Sequence, residues 1–211
     1  MACMEQVLQV YARPYDSCFP VVCMDEQPKQ LIRESRPTIT ASDGSRRVDH
    51  VYLREGVCHV WMFNEPLGGF RDVRVSERRT AVDWAHQVKA LVDDPHYADA
   101  KRITLVCDQL NTHDLGSLYK AFEPQEALRI ANRLELIHTP KHGSWLNMAE
   151  CELSVLTRQC LGRRLADISI IEHEATAWAT HRNVSQTGVD WQFTTDNARI
   201  KLKRLYPKAE A

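Results

Sequence analysis

The run Arg102-Ile-Thr-Leu-Val-Cys107 stops abruptly at Asp108, and the loop residues Gln109-Leu-Asn-Thr-His113 follow at once. A short apolar run with β-branched side chains suits a strand covered on both faces of a sheet. An acid at the carboxyl end of such a strand stands where open α/β sheets gather their ligands. A carboxylate there must recover its lost hydration, and a metal ion does so well. The alternative at this point is that Asp108 caps a helix starting near His113. The same logic recurs earlier, because Val21-Val-Cys-Met24 runs into Asp25-Glu26.

The rest of the chain fills in around these two runs. Met4, Val7, Leu8 and Tyr11 recur at helical spacing before Arg13-Pro14 breaks the pattern. Residues 30–47 are polar and turn-rich, and predict an exposed loop. Three strand-like runs follow, Val48 to Leu53, Val57 to Phe63 and Phe70 to Val75. Arg54-Glu-Gly56 and Pro66-Leu-Gly-Gly69 separate them as turns of antiparallel hairpins. Thr80 caps a predicted helix from Ala81 to Asp93, with Ala81, Ala85, Val88 and Val92 as its apolar stripe. Beyond Asp108 come helical stretches at Leu115–Phe122 and Pro124–Arg133, a strand from Leu134 to Thr139, and a helix from Trp145 to Leu161. The buried face of that helix is predicted as Trp145, Ala149, Leu153, Leu156 and Cys160. A last helix is predicted over Ile170–Arg182. This order is the plan of a ribonuclease H-like α/β domain: a mixed five-stranded sheet, antiparallel in its first three strands and then parallel, flanked by helices. Element order alone fixes no chemistry.

Composition narrows the class. A chain of 211 residues with 44% apolar side chains fits one domain with a sizeable core. No apolar run approaches a membrane span, so no membrane partner is expected. The seven cysteines form no Cys-x-x-Cys pair, which points to reduced thiols and a cytoplasmic setting. The same spacing argues against a zinc site, although there are nine histidines. A net charge of −1 does not advertise nucleic acid, so any basic surface must be local. Arg71/Arg74/Arg78/Arg79, Arg163/Arg164 and Lys201/Lys203/Arg204 are candidate tracks for a DNA backbone, with solvated surface as their default reading.

Glu150 borders the buried stripe of the helix from Trp145, with Glu152 its solvated neighbour. In the ribonuclease H-like plan, the strands that end in Asp25 and Asp108 are adjacent, and Glu150 arrives from a helix over the same edge. Three carboxylates in one site repel strongly unless divalent cations neutralise them. Oxygen-only ligation selects Mg²⁺ or Mn²⁺, and two such ions would clamp the attacking and leaving oxygens of a phosphoryl transfer.

Val21-Val-Cys-Met-Asp-Glu26, Cys107-Asp-Gln-Leu-Asn-Thr-His113 and Gly143-Ser-Trp-Leu-Asn-Met-Ala-Glu150 together resemble the Asp-Asp-Glu (DDE) transposases, nearest the bacterial insertion-sequence branch of the Tc/mariner superfamily. The closing Trp191-Gln-Phe-Thr-Thr-Asp196 and Asn197-Ala-Arg-Ile-Lys-Leu202 are similar to that family's C-terminal signature. Forty-one residues lie between Asp108 and Glu150, slightly more than in the most compact members. The resemblance implies a domain that cuts transposon ends and joins them to target DNA, typically at TA. It makes Asp25, Asp108 and Glu150 the catalytic and metal-binding triad, with two Mg²⁺ or Mn²⁺ ions. It further implies double-stranded DNA as partner, a homodimer in the synaptic complex and a nucleoid-associated location. The family's helix-turn-helix modules have no counterpart here. Residues 1–211 are therefore expected to form a single catalytic domain, its DNA-binding part lying in another domain or reading frame. A catalytically silent remnant, acting as a DNA-binding or oligomerisation module, is the alternative.

Asn111, His113, Lys141, His142 and Asn147 flank the triad and are candidates for DNA contact. A helix cap competes for Asn111 and His113 and a plain loop role for Lys141 and His142, while Asn147 is placed to bond the Glu150 carboxylate or a phosphate.

Overall fold

The computed structural model describes residues 1–37, 39–40, 42–47, 49–141 and 143–206. Helix α1 (Ala2–Tyr11) leads into the long strand β1 (Val21–Glu34). A two-residue ladder, β2 (Ile39–Thr40) with β3 (Arg46–Arg47), comes next. Strands β4 (Tyr52–Glu65) and β5 (Phe70–Ser76), helix α2 (Ala81–Val92) and strand β6 (Ile103–Cys107) follow. The chain continues through α3 (Leu118–Ala121), α4 (Pro124–Asn132), β7 (Leu134–His138), α5 (Met148–Leu156), α6 (Ile168–Ser185) and α7 (Thr195–Lys201). The main sheet has the order β5-β4-β1-β6-β7. Strands β5, β4 and β1 are antiparallel, while β1, β6 and β7 are parallel. This is the mixed ribonuclease H-like sheet that the element order predicts.

Period-two alternation divides the strand residues between two helical layers. Val21, Cys23, Val60, Met62, Val106 and Ile137 face α1, α5 and α6. Val22, Met24, Trp61, Phe63, Leu105 and Cys107 face α2, α3 and α4. Helix α2 begins as expected. Thr80 accepts from the Asp83 backbone N–H, and the Asp83 carboxylate accepts in return from the Thr80 N–H, which closes a capping box. Of its expected stripe, Ala85, Val88 and Val92 are buried, with Trp84 and Leu91 beside them; Ala81 is only half-buried.

Three expectations are corrected. Strand β1 does not stop at Asp25 but pairs with β4 as far as Glu34, so part of the predicted 30–47 loop is strand. Arg54-Glu-Gly56 is no turn: the two runs on either side form one strand, and the register slips between Leu31 and Ile32 opposite Gly56. Gly56 adopts φ +119°, which a side chain would strain, so the pattern that reads as a turn marks a bulge. Val48, the predicted start of that run, lies outside the described residues. Finally, the helix predicted from Trp145 starts at Met148, after a 3-10 turn over Ser144–Leu146, and ends in a π turn over Thr157–Leu161. Trp145 is accordingly 48% exposed and Cys160 half-buried, while Ala149, Leu153 and Leu156 are buried as expected.

Candidate active site

In the parallel pair β1/β6, Cys23 stands opposite Val106. Two residues further on stand Asp25, within β1, and Asp108, one residue past the end of β6; by alternation Asp25 faces the α5 layer. Helix α5 packs on that face and carries Glu150 in its first turn. Two ties fix its start. The Tyr11 hydroxyl donates to the Leu146 carbonyl at 2.6 Å. Asn147 caps α5 by accepting from the Ala149 N–H at 3.2 Å, and donates from Nδ2 to the Met24 carbonyl at 2.9 Å. The helix bearing one acid is thus pinned to the residue before another.

Burial pushes the Asp25 carboxyl up to about 7; the Glu26 N–H opposes that, while Glu26, Glu150 and Asp108 add to it as like charges. Asp25 therefore feels both other acids as like charges and has no ion-pair partner among the described residues. Asp108 is shifted the opposite way. The His113 hydrogen bond holds its carboxyl below the usual range against partial burial, with the Leu110 N–H assisting. Its Oδ1 takes both bonds, at 2.6 Å from His113 Nδ1 and 3.2 Å from Leu110 N. Among the described residues, no three His, Cys, Asp or Glu side chains are arranged to close on one ion. In chemistry, carboxylates that include a half-buried Asp25 without an ion-pair partner among the described residues suit a hard divalent cation, which would supply the missing charge.

The flanking candidates separate. Lys141 is exposed and lines a cleft with Asp108, Gln109, Leu110, Thr139, Pro140 and Ser144. Asn111 is exposed, whereas His142 lies outside the described residues. His113 and Asn147 are each 1% exposed and engage protein partners, which leaves neither a surface from which to touch DNA. Trp84 stacks against the His113 ring at a centroid distance of 5.8 Å. His113 Nε2 lies 3.3 Å from Glu26 Oε2, within ion-pair range though off the line of a hydrogen bond. Arg79 holds the other oxygen of Glu26 at 3.2 Å. Burial alone would lower the His113 pKa. Bonding to Asp108, with Cys107 and Glu26 adding, outweighs it and holds the value at about 11.

Sequence reasoning missed Glu26. The signal was available, because alternation turns Glu26 into the α2 layer, where a carboxylate needs partners. The expected basic tracks also dissolve in part. Arg71 is buried in a pair with Glu152, Arg74 pairs with Asp72, Arg79 with Glu26 and Arg163 with Glu174. Glu152, expected to be solvated, is only 6% exposed.

A mixed five-stranded sheet, antiparallel then parallel and flanked by helices, defines a ribonuclease H-like domain. The model of the DDE superfamily endonuclease family matches residues 20–171, and the chain belongs to that family. Two solved structures share its fold. One is the Mos1 mariner paired-end complex with Mn (TM-score 0.55, 16% identity, 85% of this chain and 53% of that one). The other is the Mos1 transposase paired-end complex with left transposon end (TM-score 0.55, 13% identity, 85% and 53%). The chain spans about half the length of these solved transposases. Comparison with curated protein sequences yields no match.

Proposed function

We propose that this chain is a transposase catalytic domain that cleaves DNA at transposon ends and transfers the freed strand into target DNA, at TA. Its catalytic residues are Asp25, Asp108 and Glu150. One observation supports the reading: Asp25 lies on β1 and Asp108 just past the end of the adjacent parallel strand β6, and Asp25 has no ion-pair partner among the described residues while Glu150 and Asp108 act on it as like charges. These three carboxylates would hold two Mg²⁺ or Mn²⁺ ions, which when bound polarise the scissile phosphate and favour in-line attack by oxygen. The chain's own side chains do the positioning. Asp108 presents one oxygen while the other is tied down, Asn147 fixes the helix that carries Glu150, and exposed Lys141 offers a cation to a phosphate along the cleft. Water and then a 3′-hydroxyl serve as nucleophiles, so no protein–DNA covalent bond is required. The described residues form a single domain in this proposal. Recognition of the transposon ends lies in another domain or chain, and two copies act on paired ends.

The Mn²⁺-dependent nicking of supercoiled plasmid DNA tests the reading. Asp108→Asn should reduce nicking to background while the protein melts at an unchanged temperature without metal. An Asn variant that nicks as fast as the native chain would refute the assignment. The second reading, a silent DNA-binding or oligomerisation remnant, draws on the absence of a closed ion-binding trio among the described residues. It predicts DNA retention with no cutting at any Mn²⁺ concentration.

A further inference from the structure

We infer that His113 is a positioning residue: it grips one oxygen of Asp108 and leaves the other facing the cation, and Glu26, braced by Arg79, holds His113 in place. The inference rests on the proposed carboxylate site and extends it to three residues outside the triad.

Asp108 lies one residue past the end of β6, so no strand ladder holds its backbone. An acid in that position would sample several rotamers, and each would present a different pair of oxygens. Two bonds remove that freedom. Oδ1 accepts from the Leu110 N–H and from His113 Nδ1, while Oδ2 has no hydrogen-bond partner among the described residues. The result is a carboxylate preset to offer a single oxygen.

The imidazole doing the gripping has nowhere else to go. It is 1% exposed, its ring stacks on fully buried Trp84, and both ring nitrogens face carboxylates. With Asp108 on Nδ1, Glu26 3.3 Å from Nε2 and the ring 1% exposed, no part of the imidazole is open to substrate. A role as general base is thereby excluded, and burial excludes a DNA contact. The loop is closed by a further bond, since His138 Nε2 lies 2.8 Å from the His113 carbonyl. A helix-capping role fails as well: Asp114, not His113, accepts from the Gly116 N–H at the turn that follows.

Glu26 completes the couple. Its side chain is 3% exposed, and it sits on the face of β1 opposite Asp25, so it cannot join the triad. A buried carboxylate is costly, and this one is matched by Arg79 at 3.2 Å and His113 at 3.3 Å. It thereby supplies the charge that keeps the imidazole oriented toward Asp108. Outer partners of this kind typically change metal affinity about 10–100-fold when removed.

The test is calorimetric titration of the full chain with Mn²⁺, comparing the native protein with Asp108→Asn, His113→Gln and Glu26→Gln, each checked by melting without metal. His113→Gln should raise the Kd for Mn²⁺ about 10–100-fold at an unchanged number of sites. Glu26→Gln should shift it in the same direction by less, and nicking by either variant should recover as Mn²⁺ is raised. Unchanged or tighter binding by folded His113→Gln would overturn the inference, and so would a fall in site number at constant Kd, the mark of a merely structural role. Should His113→Gln not fold, the isosteric Glu26→Gln decides, and native affinity there overturns the inference equally. Native protein that binds no Mn²⁺ removes the carboxylate site itself. Native binding that Asp108→Asn abolishes keeps the site, so the two failures are distinguishable.

Discussion

Asn147 shows how much one buried side chain can set. Its amide spends Oδ1 on the N-terminus of α5 and Nδ2 on the carbonyl of Met24, one residue before Asp25. Truncation to Ala removes a cap and leaves a carbonyl without its donor, which together should cost about 1–3 kcal/mol in urea unfolding. A loss below about 0.5 kcal/mol, the range of an ordinary surface substitution, would show that the bridge is dispensable. The sequence placed this residue beside Glu150 and left open whether it bonded that carboxylate or a phosphate; the cap on its own helix was not foreseen. Choosing among them needed the β1 carbonyl, more than a hundred residues away in the chain.

Between elements, α2 and α4 are joined by a surface ion cluster. Lys89 bonds Asp93 and Glu126, and Arg129 bonds the same two acids at 2.8 Å and 2.7 Å. Arg129, with Lys89 second, holds the Glu126 carboxyl down at about 2 from an ordinary value of 4.5. A carboxyl depressed in the folded state stabilises above its unfolded pKa and loses that contribution as pH falls toward the folded one. Glu126→Gln should therefore be less stable than the native chain at pH 6, and the gap should close between about pH 4.5 and about pH 2. Because the cluster lies at the surface, salt at about 0.5 M should narrow the gap as well. A gap that ignored both pH and salt would mean that the cluster contributes nothing electrostatic. Helix α2 was legible because its cap and stripe are local signals; the ion cluster was not, because α4 meets α2 only in the packed layer.

Across the whole molecule, one buried ion pair clasps the carboxyl-terminal third to the sheet. Arg71 of β5 bonds Glu152 of α5 through Nε at 2.9 Å and through a second nitrogen at 3.2 Å, and also reaches the Gly69 and Thr187 carbonyls. Arg182 of α6 approaches the same carboxylate at 3.3 Å. Removing one partner of such a pair leaves an uncompensated buried charge, so Glu152→Ala should cost about 3–5 kcal/mol. The double change Arg71→Met with Glu152→Leu should cost less than Glu152→Ala alone, and denaturant midpoints of the native chain and both variants decide this. A double variant weaker than the single one would show net attraction beyond the cost of desolvation.

The sequence by itself determined the order and type of the main elements, since apolar period, caps and the position of each acid are carried by neighbouring residues. It also pointed to three carboxylates as candidates, but it put Asp25 at the end of a strand that in fact runs on to Glu34. Tertiary structure alone decided where β1 and β4 end, because their length is set by pairing with each other, and Gly56 reads as a turn until its partner strand is present. It likewise decided which charges are buried. Arg71, Glu152, Glu26 and His113 look like solvated or loop residues in the chain, and only packing brings each against the opposite charge that makes its burial tolerable.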